Sequence, residues 1–193
     1  SMVKTVRLPK PASDLLLLHI ELKWITPTIW RRFAVPENIT LGKLHHVIQV
    51  VMGWSDSHLH EFEIAGENYG MPDPDGWGPT VNPEARKTLI KALNGKRTFN
   101  YLYDFGDSWH HSIKVEKTLP AVACPQVPYC IDGANACPPE DVGGGPGYED
   151  FLEAMGNPNH PEHDDMVEWH GDVFDPAAFE CERVNQWLKR IKV

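Results

Sequence analysis

Histidine and aspartate residues in two separate stretches have the types and spacing of a metal site. His58 and His60 are two residues apart, and the run YDFGDSWHHSI contains Asp104 and His111. Residues two apart on a β-strand point to the same face, so both rings of the first pair would face one ligand. Imidazole and carboxylate together form a mixed shell that suits zinc, manganese or iron. The predicted ligands of a divalent transition metal ion are therefore His58, His60, Asp104 and His111.

The same histidines also fit a structural role. His58 and His60 share their predicted face with Phe62, and His111 shares a face with Trp109. Polar side chains on an apolar face are usually buried and hydrogen-bonded to neighbouring groups. Both interpretations stay open at the level of the sequence.

The run from 99 to 115 is predicted to be the β-hairpin that positions Asp104 and His111. Aromatic and apolar side chains alternate with polar ones on both sides of Gly106-Asp107-Ser108, whose residue types are typical of a tight turn. We expect two antiparallel strands in one sheet. We interpret Asp107 as the turn residue whose carboxylate accepts backbone N–H bonds.

A helix and a strand are predicted ahead of this hairpin. Thr40 is a suitable N-cap, the apolar residues that follow have helical spacing, and Gly53 is placed to end the helix. Alternation from His58 to Ile64 then predicts a strand that carries the histidine pair.

The order of these elements predicts an α+β fold in a single domain, residues 1–193. Residues 14–118 are expected to form a mixed sheet of about five strands with one crossover helix, in a β-grasp-like or split βαβ arrangement. Residues 119–147 are a connection rich in proline, glycine and cysteine. Residues 148–193 have helical periodicity and are predicted to form a C-terminal helical cluster.

Charge is distributed unevenly along the chain, whose formal net charge is −9. Residues 140–182 contain thirteen aspartate and glutamate residues and no lysine or arginine. Such a tract repels phosphate backbones, so we do not expect tight nucleic-acid binding and expect a protein partner instead. No feature of the sequence indicates the oligomeric state.

The sequence favours a cytoplasmic protein. It has no apolar run long enough to span a bilayer and no pattern typical of a secretory signal. Four cysteines in such a chain are expected to be reduced thiols. Cys124, Cys130 and Cys137 lack the two-residue spacing of zinc knuckles, so loop or buried thiols are favoured over a zinc site or a disulfide.

A second set of residues is predicted to bind a partner. Trp77 lies in a loop rich in proline and glycine, and Trp109 follows the hairpin turn. Tryptophan is enriched in interaction hot spots and also anchors cores, and both roles stay open. With the acidic residues of the turn and of the glycine-rich loop, the candidate binding residues are Trp77, Asp107, Trp109, Glu140 and Asp141.

The glycine-rich loop CPPEDVGGGPGY precedes a predicted helix at Tyr148, an arrangement that can bind phosphate. It has no GK[ST] sequence, however, and Glu140, Asp141 and Glu149 around it disfavour an anion. We interpret the loop as a rigid connection that docks the helical cluster onto the sheet.

Several long motifs resemble one known family. YDFGDSWHHSI, ACPPEDVGG at 136–144, GYEDFLEAM at 147–155 and HPEHDDMVEW are similar to sequences of the plasmid pRi ORF-three-like family. The resemblance extends over about residues 14–190. It implies an α+β fold and an association with plasmids and mobile genetic elements, and it implies no assigned activity.

Together these features favour a non-catalytic binding or accessory protein, tied to mobile genetic elements by resemblance alone. The alternative, from a different functional class, is a metal-dependent hydrolase that uses the His/Asp cluster on phosphoesters. A bound divalent transition metal would be the cofactor of that alternative.

Overall fold

The computed structural model describes residues 2–6 and 12–193, and within them the chain has eight strands and five helices. The strands are β1 (Leu15–Leu22), β2 (Trp30–Pro36), β3 (His60–Ile64), β4 (Glu67–Gly70), β5 (Asn82–Pro83), β6 (Thr98–Tyr103), β7 (Trp109–Leu119) and β8 (Tyr129–Ala134). The helices are α1 (Leu41–Met52), α2 (Leu89–Leu93), α3 (Gly144–Gly156), α4 (His163–His170) and α5 (Cys181–Leu188). The predicted α+β class is confirmed.

All eight strands form one sheet in the order β5-β4-β3-β6-β7-β1-β2-β8. Neighbours are antiparallel except for the parallel pair β4–β5, so the sheet is mixed. The prediction of about five strands was wrong. The predicted number was too low because β4, β5 and β8 are short and lie among turn-forming residues, where alternation has no room to develop.

The predicted hairpin is confirmed as β6 and β7. The two strands pair antiparallel, with Tyr103 opposite Trp109 and Tyr101 opposite His111. They occupy the middle of the sheet, between β3 and β1. The end of this hairpin is therefore held by pairing on both sides, which makes it a firm support for a site.

Helix α1 crosses the sheet from β2 to β3, past the three strands that lie between them. Thr40 accepts a bond from the N–H of Lys43, and Gly53 ends the helix in the left-handed conformation, as predicted. A buried apolar face packs the helix on the sheet through Leu41, Leu44, Val47, Ile48 and Val51. This crossover brings residues 53–58 to the β6–β7 end of the sheet.

The last third of the chain covers one edge and one end of the sheet. Strand β8, inside the proline- and glycine-rich connection, pairs with β2 at the edge. Asn185 of α5 holds β8 in place, because its side chain bonds both the N–H and the carbonyl of Cys130, at 2.7 and 2.9 Å. Helices α3 and α4 pack on each other. Within the described residues, no helix has the length and apolarity needed to cross a membrane.

Candidate metal centre

Three carboxylates converge on one imidazole nitrogen at the end of the β6–β7 hairpin. Nε2 of His58 lies 2.7 Å from Asp141 Oδ1, 3.6 Å from Asp104 Oδ2 and 3.8 Å from Glu140 Oε2. Ligand atoms of an ion with bonds of about 2.0–2.2 Å are themselves roughly 3–3.5 Å apart. The ligand atoms of His58, Asp104 and Asp141 all lie within 4.8 Å of one another, so these side chains need only small adjustments to hold one ion, and Glu140 is the fourth member of the group. We call them the His58 cluster.

Nε2 of His58 is buried and makes no hydrogen bond within the described part of the chain. Oδ1 of Asp141 lies within ion-pair distance of this nitrogen, at 2.7 Å, but no hydrogen bond joins the two atoms. A buried polar atom without a partner costs free energy and calls for an explanation such as a bound ion or water.

Asp104 is aimed at His58 by the turn that it begins. Its Oδ1 accepts bonds from the N–H groups of Gly106 and Asp107, at 3.0 and 3.2 Å, which leaves Oδ2 on the side of His58. Its own N–H donates to Leu59 at 2.8 Å. Asp104 has a φ of 63°, in the left-handed region that few non-glycine residues adopt.

The predicted turn role of Asp107 was therefore wrong, and Asp104 has that role. Asp107 instead accepts a bond from the N–H of Gly143 at 3.2 Å, which ties the glycine-rich loop to the hairpin. Gly144 passes so close that a Cβ there would lie 2.6 Å from the carbonyl oxygen of Asp107. Only glycine permits this approach, so the glycine run docks the loop against the hairpin.

The docked loop delivers Glu140 and Asp141 to the cluster. Glu140 accepts a bond from the hydroxyl of Tyr103 at 2.9 Å and another from the N–H of Ser55 at 3.4 Å. Burial raises the pKa of Glu140 above its ordinary value, since the charged carboxylate loses solvation. Asp141, with a φ of 62°, is mostly exposed, so the cluster opens to solvent on its side.

His60 does not join His58 and Asp104. Its Nε2 lies 2.8 Å from both oxygens of Glu84, and both side chains are buried. Its ring stacks on His45 with centroids 3.4 Å apart. The predicted His-x-His geometry fails because β3 begins at His60, so strand alternation does not extend to His58.

His45 completes this second group of histidines. Its ring nitrogens lie 2.7 Å from the hydroxyl of Tyr101 and 2.8 Å from Asp56 Oδ1. The pKa of His45 is lowered to about 4. Burial is the largest cause, and the neighbouring His60 is the second. We call His45, His60, Asp56, Glu84 and Tyr101 the His45 network. His46, which is exposed, lies near Asp56 at 3.7 Å and offers a further nitrogen at its rim.

His111 is also separate from the cluster and is fully buried. Its Nε2 accepts a bond from the indole N–H of Trp54 at 3.3 Å, and its Nδ1 bonds the carbonyl of Tyr101 at 3.1 Å. Burial lowers the pKa of His111 to about 4, so the ring is neutral at pH 7. Both ring nitrogens are occupied, and the residue is best described as a core histidine.

The predicted binding residues lie in different environments. Trp77 is highly exposed in the loop between β4 and β5, whereas Trp109 is buried with its ring 5.5 Å from that of Trp54. Asp107 ties the loop to the hairpin, and Glu140 and Asp141 lie beside His58 in the His58 cluster, at 3.8 and 2.7 Å. Glu140 and Asp141 stand just before the glycine run in the sequence. This position is the signal that could have linked them to the predicted metal ligands.

The four cysteines are free thiols. Cys130 and Cys181 approach each other to 3.7 Å between sulfur atoms, across the contact of β8 with α5. Burial raises the pKa of both Cys130 and Cys137 well above that of an exposed thiol. Protonated, buried thiols are poor metal ligands, and the cysteines stand apart from the His58 cluster.

Comparisons with known proteins place this chain among relatives without assigned activity. The family model described as plasmid pRiA4b ORF-3-like protein matches residues 14–183. The uncharacterized protein y4hQ of Sinorhizobium fredii (strain NBRC 101917 / NGR234) is 42% identical over 172 residues, 88% of each chain. The crystal structure of MM3350 from Methanosarcina mazei Go1, a protein of unknown function, matches with a TM-score of 0.80 at 38% identity, covering 89% of this chain and 98% of the other. The chain thus belongs to the plasmid pRiA4b ORF-3-like family.

Proposed function

We propose that this is a non-catalytic binding or accessory protein whose His58 cluster holds a divalent transition metal ion. The ion would join His58, just before β3, and Asp104, in the hairpin turn, to Glu140 and Asp141 on the docked loop. The observation that carries the proposal is the buried Nε2 of His58, which has three carboxylates around it and no hydrogen bond among residues 2–6 and 12–193.

The charge of the cluster supports a cation. Within the described residues, no lysine or arginine forms an ion pair with Asp104, Glu140 or Asp141. Carboxylates that lie close together repel one another unless a proton or a cation intervenes. One nitrogen and up to three oxygens form a shell that manganese, iron and zinc accept.

The position of the cluster supports a structural or binding role for the ion. It lies where the glycine-rich loop meets the hairpin, so a bound ion would fix the start of α3 relative to the sheet. Helices α3 and α4, which carry much of the acidic tract, would be held with it. We expect the partner to be a protein, and the free thiols are in keeping with a reducing cytoplasm.

One observation favours a metal-dependent hydrolase as the second candidate. Asp141 is 66% exposed, so an ion in the cluster would keep a position open to water. The surrounding surface opposes this reading for phosphoesters, because Asp150 and Glu162 lie beside Asp141 and repel phosphate. We therefore rank the non-catalytic role first.

Hydrogen exchange of the docked loop tests the proposed role. In protein stripped with EDTA and then loaded with Mn²⁺, we expect slower exchange of the Gly143 and Gly144 amides, because the ion ties their loop to the hairpin. His58→Ala should abolish this protection, and His46→Ala should leave it unchanged. Equal exchange with and without Mn²⁺ would contradict the proposal.

Turnover separates the two candidates. The non-catalytic role predicts that Mn²⁺-loaded protein does not hydrolyse p-nitrophenyl phosphate or bis(p-nitrophenyl) phosphate above the rate of His58→Ala protein. Hydrolysis that requires both Mn²⁺ and His58 would establish the enzyme reading instead.

A further inference from the structure

A cavity of about 290 Å³ lies between the first half of α3 and α4, along α4 from Glu162 to Trp169 and beside the exposed face of Asp141. Its lining residues are Asp141, Val142, Gly147, Asp150, Phe151, Glu162, Met166 and Trp169. We call it the α3–α4 pocket. It touches the His58 cluster only through Asp141, so its chemistry can be considered separately.

The pocket has an apolar wall and an acidic rim. The ring of Trp169 packs edge-on against Phe151 at 5.9 Å between centroids, and Trp169 remains half exposed. Asp150 and Glu162 are exposed on the rim. Among the described residues that line it, none is a lysine or an arginine. An aromatic surface beside carboxylates binds a cationic group that has an apolar or planar body.

The charge of the surface around the pocket also favours a cationic ligand. The acidic tract of residues 140–182, with thirteen carboxylates and no basic residue, includes both helices that form the walls. No ion pair within the described residues joins Asp150 or Glu162 to a basic side chain. A field of one sign attracts and orients a partner of the opposite sign.

We propose that the α3–α4 pocket binds an arginine side chain from a basic segment of a partner protein. The planar guanidinium can stack on Trp169 while its N–H groups reach the carboxylates of Asp150 and Glu162. The proposal rests on the binding role proposed above, for which it names the class of partner, and it does not require the metal ion.

A pair of labelled peptides tests the recognition of arginine. The probe is a fluorescein-labelled glycine–serine peptide with three arginines, and its match carries citrulline, which has nearly the same shape without the charge. In fluorescence anisotropy at physiological salt, the arginine peptide should bind at least about tenfold more tightly, as expected for charge-assisted bonds. Equal affinity for the two peptides, or no binding of the arginine peptide, would overturn the proposal.

Matched charge variants separate the pocket from the general acidity of the surface. Asp150→Asn with Glu162→Gln should weaken the arginine peptide about tenfold through loss of charge-assisted bonds. The control pair Asp164→Asn with Asp165→Asn removes the same charge from exposed positions of α4 outside the pocket. An equal loss of peptide affinity in both double variants would show that the acidic tract as a whole attracts the peptide. That result would overturn the proposal of a specific pocket.

One single variant and one comparison of metal states complete the test. Trp169→Leu keeps an apolar side chain but removes the indole, and it should weaken the arginine peptide about two- to fivefold, the size of an exposed cation–π contact. Peptide affinity should be the same in EDTA-treated and Mn²⁺-loaded wild-type protein, so loss of the metal site and loss of the pocket are distinguishable. Full affinity in Trp169→Leu protein, confirmed as folded by circular dichroism, would contradict the stacked arrangement.

Discussion

The His45 network and the His58 cluster are two groups of histidines and carboxylates with opposite arrangements. In the network, His45 and His60 are buried, stacked and bonded to Asp56, Glu84 and Tyr101. In the cluster, the imidazole of His58 faces three carboxylates, but its Nε2 forms no hydrogen bond with any residue that the structure describes. The network is closed, whereas the cluster lacks a partner that a cation could supply.

The contrast shows that residue type and spacing do not separate a core histidine from a candidate ligand. Buried histidine–carboxylate pairs stabilise a fold only when their bonding groups are satisfied, as Nε2 of His60 and the carboxylate of Glu84 are by each other. Unsatisfied donors and acceptors persist where a ligand can complete them. The number of hydrogen bonds at each nitrogen is therefore the feature that distinguishes the His45 network from the His58 cluster, which we propose as the metal site.

Removing one member of the network should have the largest effect on stability. His60→Ala leaves the carboxylate of Glu84 buried without its imidazole, and we expect a loss of about 3–5 kcal/mol in the free energy of unfolding. Urea denaturation measures it. His58→Ala, at the open cluster, should cost less than about 1 kcal/mol. Similar losses of stability in the two variants would show that the His45 network and the His58 cluster do not differ as described.

Acid should destabilise the protein through its buried neutral histidines. The pKa values of His45 and His111 are lowered by burial from 6.5 to about 4, so the unfolded chain binds protons first as the pH falls. Their stabilising effect is complete above about pH 6.5 and is lost progressively towards pH 4. We expect about 2–4 kcal/mol of lost stability between pH 7 and pH 5.

Ring resonances in an NMR titration check the origin of this loss. The rings of His45 and His111 should remain neutral until the pH approaches 4. Titration of His111 near pH 6.5 in the folded protein would contradict its placement in a closed, buried environment.

Neutralising Glu140 should have opposite effects on the stability of the metal-free protein and on the affinity of the His58 cluster for a metal ion. Because burial raises the pKa of Glu140, its ionised form opposes folding as the pH rises through that value. Glu140→Gln should therefore leave the metal-free protein at pH 7 as stable as the wild type or slightly more stable. The same change should weaken Mn²⁺ binding by about tenfold through loss of one charged ligand. Unchanged Mn²⁺ affinity in calorimetry would remove Glu140 from the shell.

The smallest expected effect concerns Asp107, which ties the loop to the hairpin without facing the ion. Asparagine keeps an oxygen that can accept the N–H of Gly143, so Asp107→Asn should change stability by less than about 1 kcal/mol. Metal binding should persist in this variant. Loss of the metal from folded Asp107→Asn protein would move this residue into the ligand shell.

Much of the fold follows from patterns that the sequence shows directly. The hairpin at β6–β7 and the caps of α1 were predictable because alternation and capping are local. Strand β8 was not, since a short edge strand among turn residues has no pattern of its own and depends on β2 and Asn185. Local signals therefore identify individual strands and helices. The number of strands in the sheet depends on pairing between segments that are distant along the chain.

The site was predictable only in part for the same reason. The sequence placed Asp104 at the hairpin end and grouped it with His58, and the structure brings these two together. It also included His60, whose partner Glu84 lies 24 residues along the chain in a stretch without periodicity. The choice between Asp104 and Asp107 as the turn acceptor depended on a left-handed backbone at Asp104, which no residue pattern specifies.

The number of metal ions bound per chain tests the difference between the His45 network and the His58 cluster most directly. Metal-free protein would be loaded with Mn²⁺ or Zn²⁺, freed of excess metal by gel filtration and measured by elemental analysis. The wild type and His46→Ala, which alters the rim of the His45 network, should each retain about one ion per chain, and His58→Ala almost none. Retention of the ion by folded His58→Ala protein, or its absence from the wild type, would contradict a metal centre at His58.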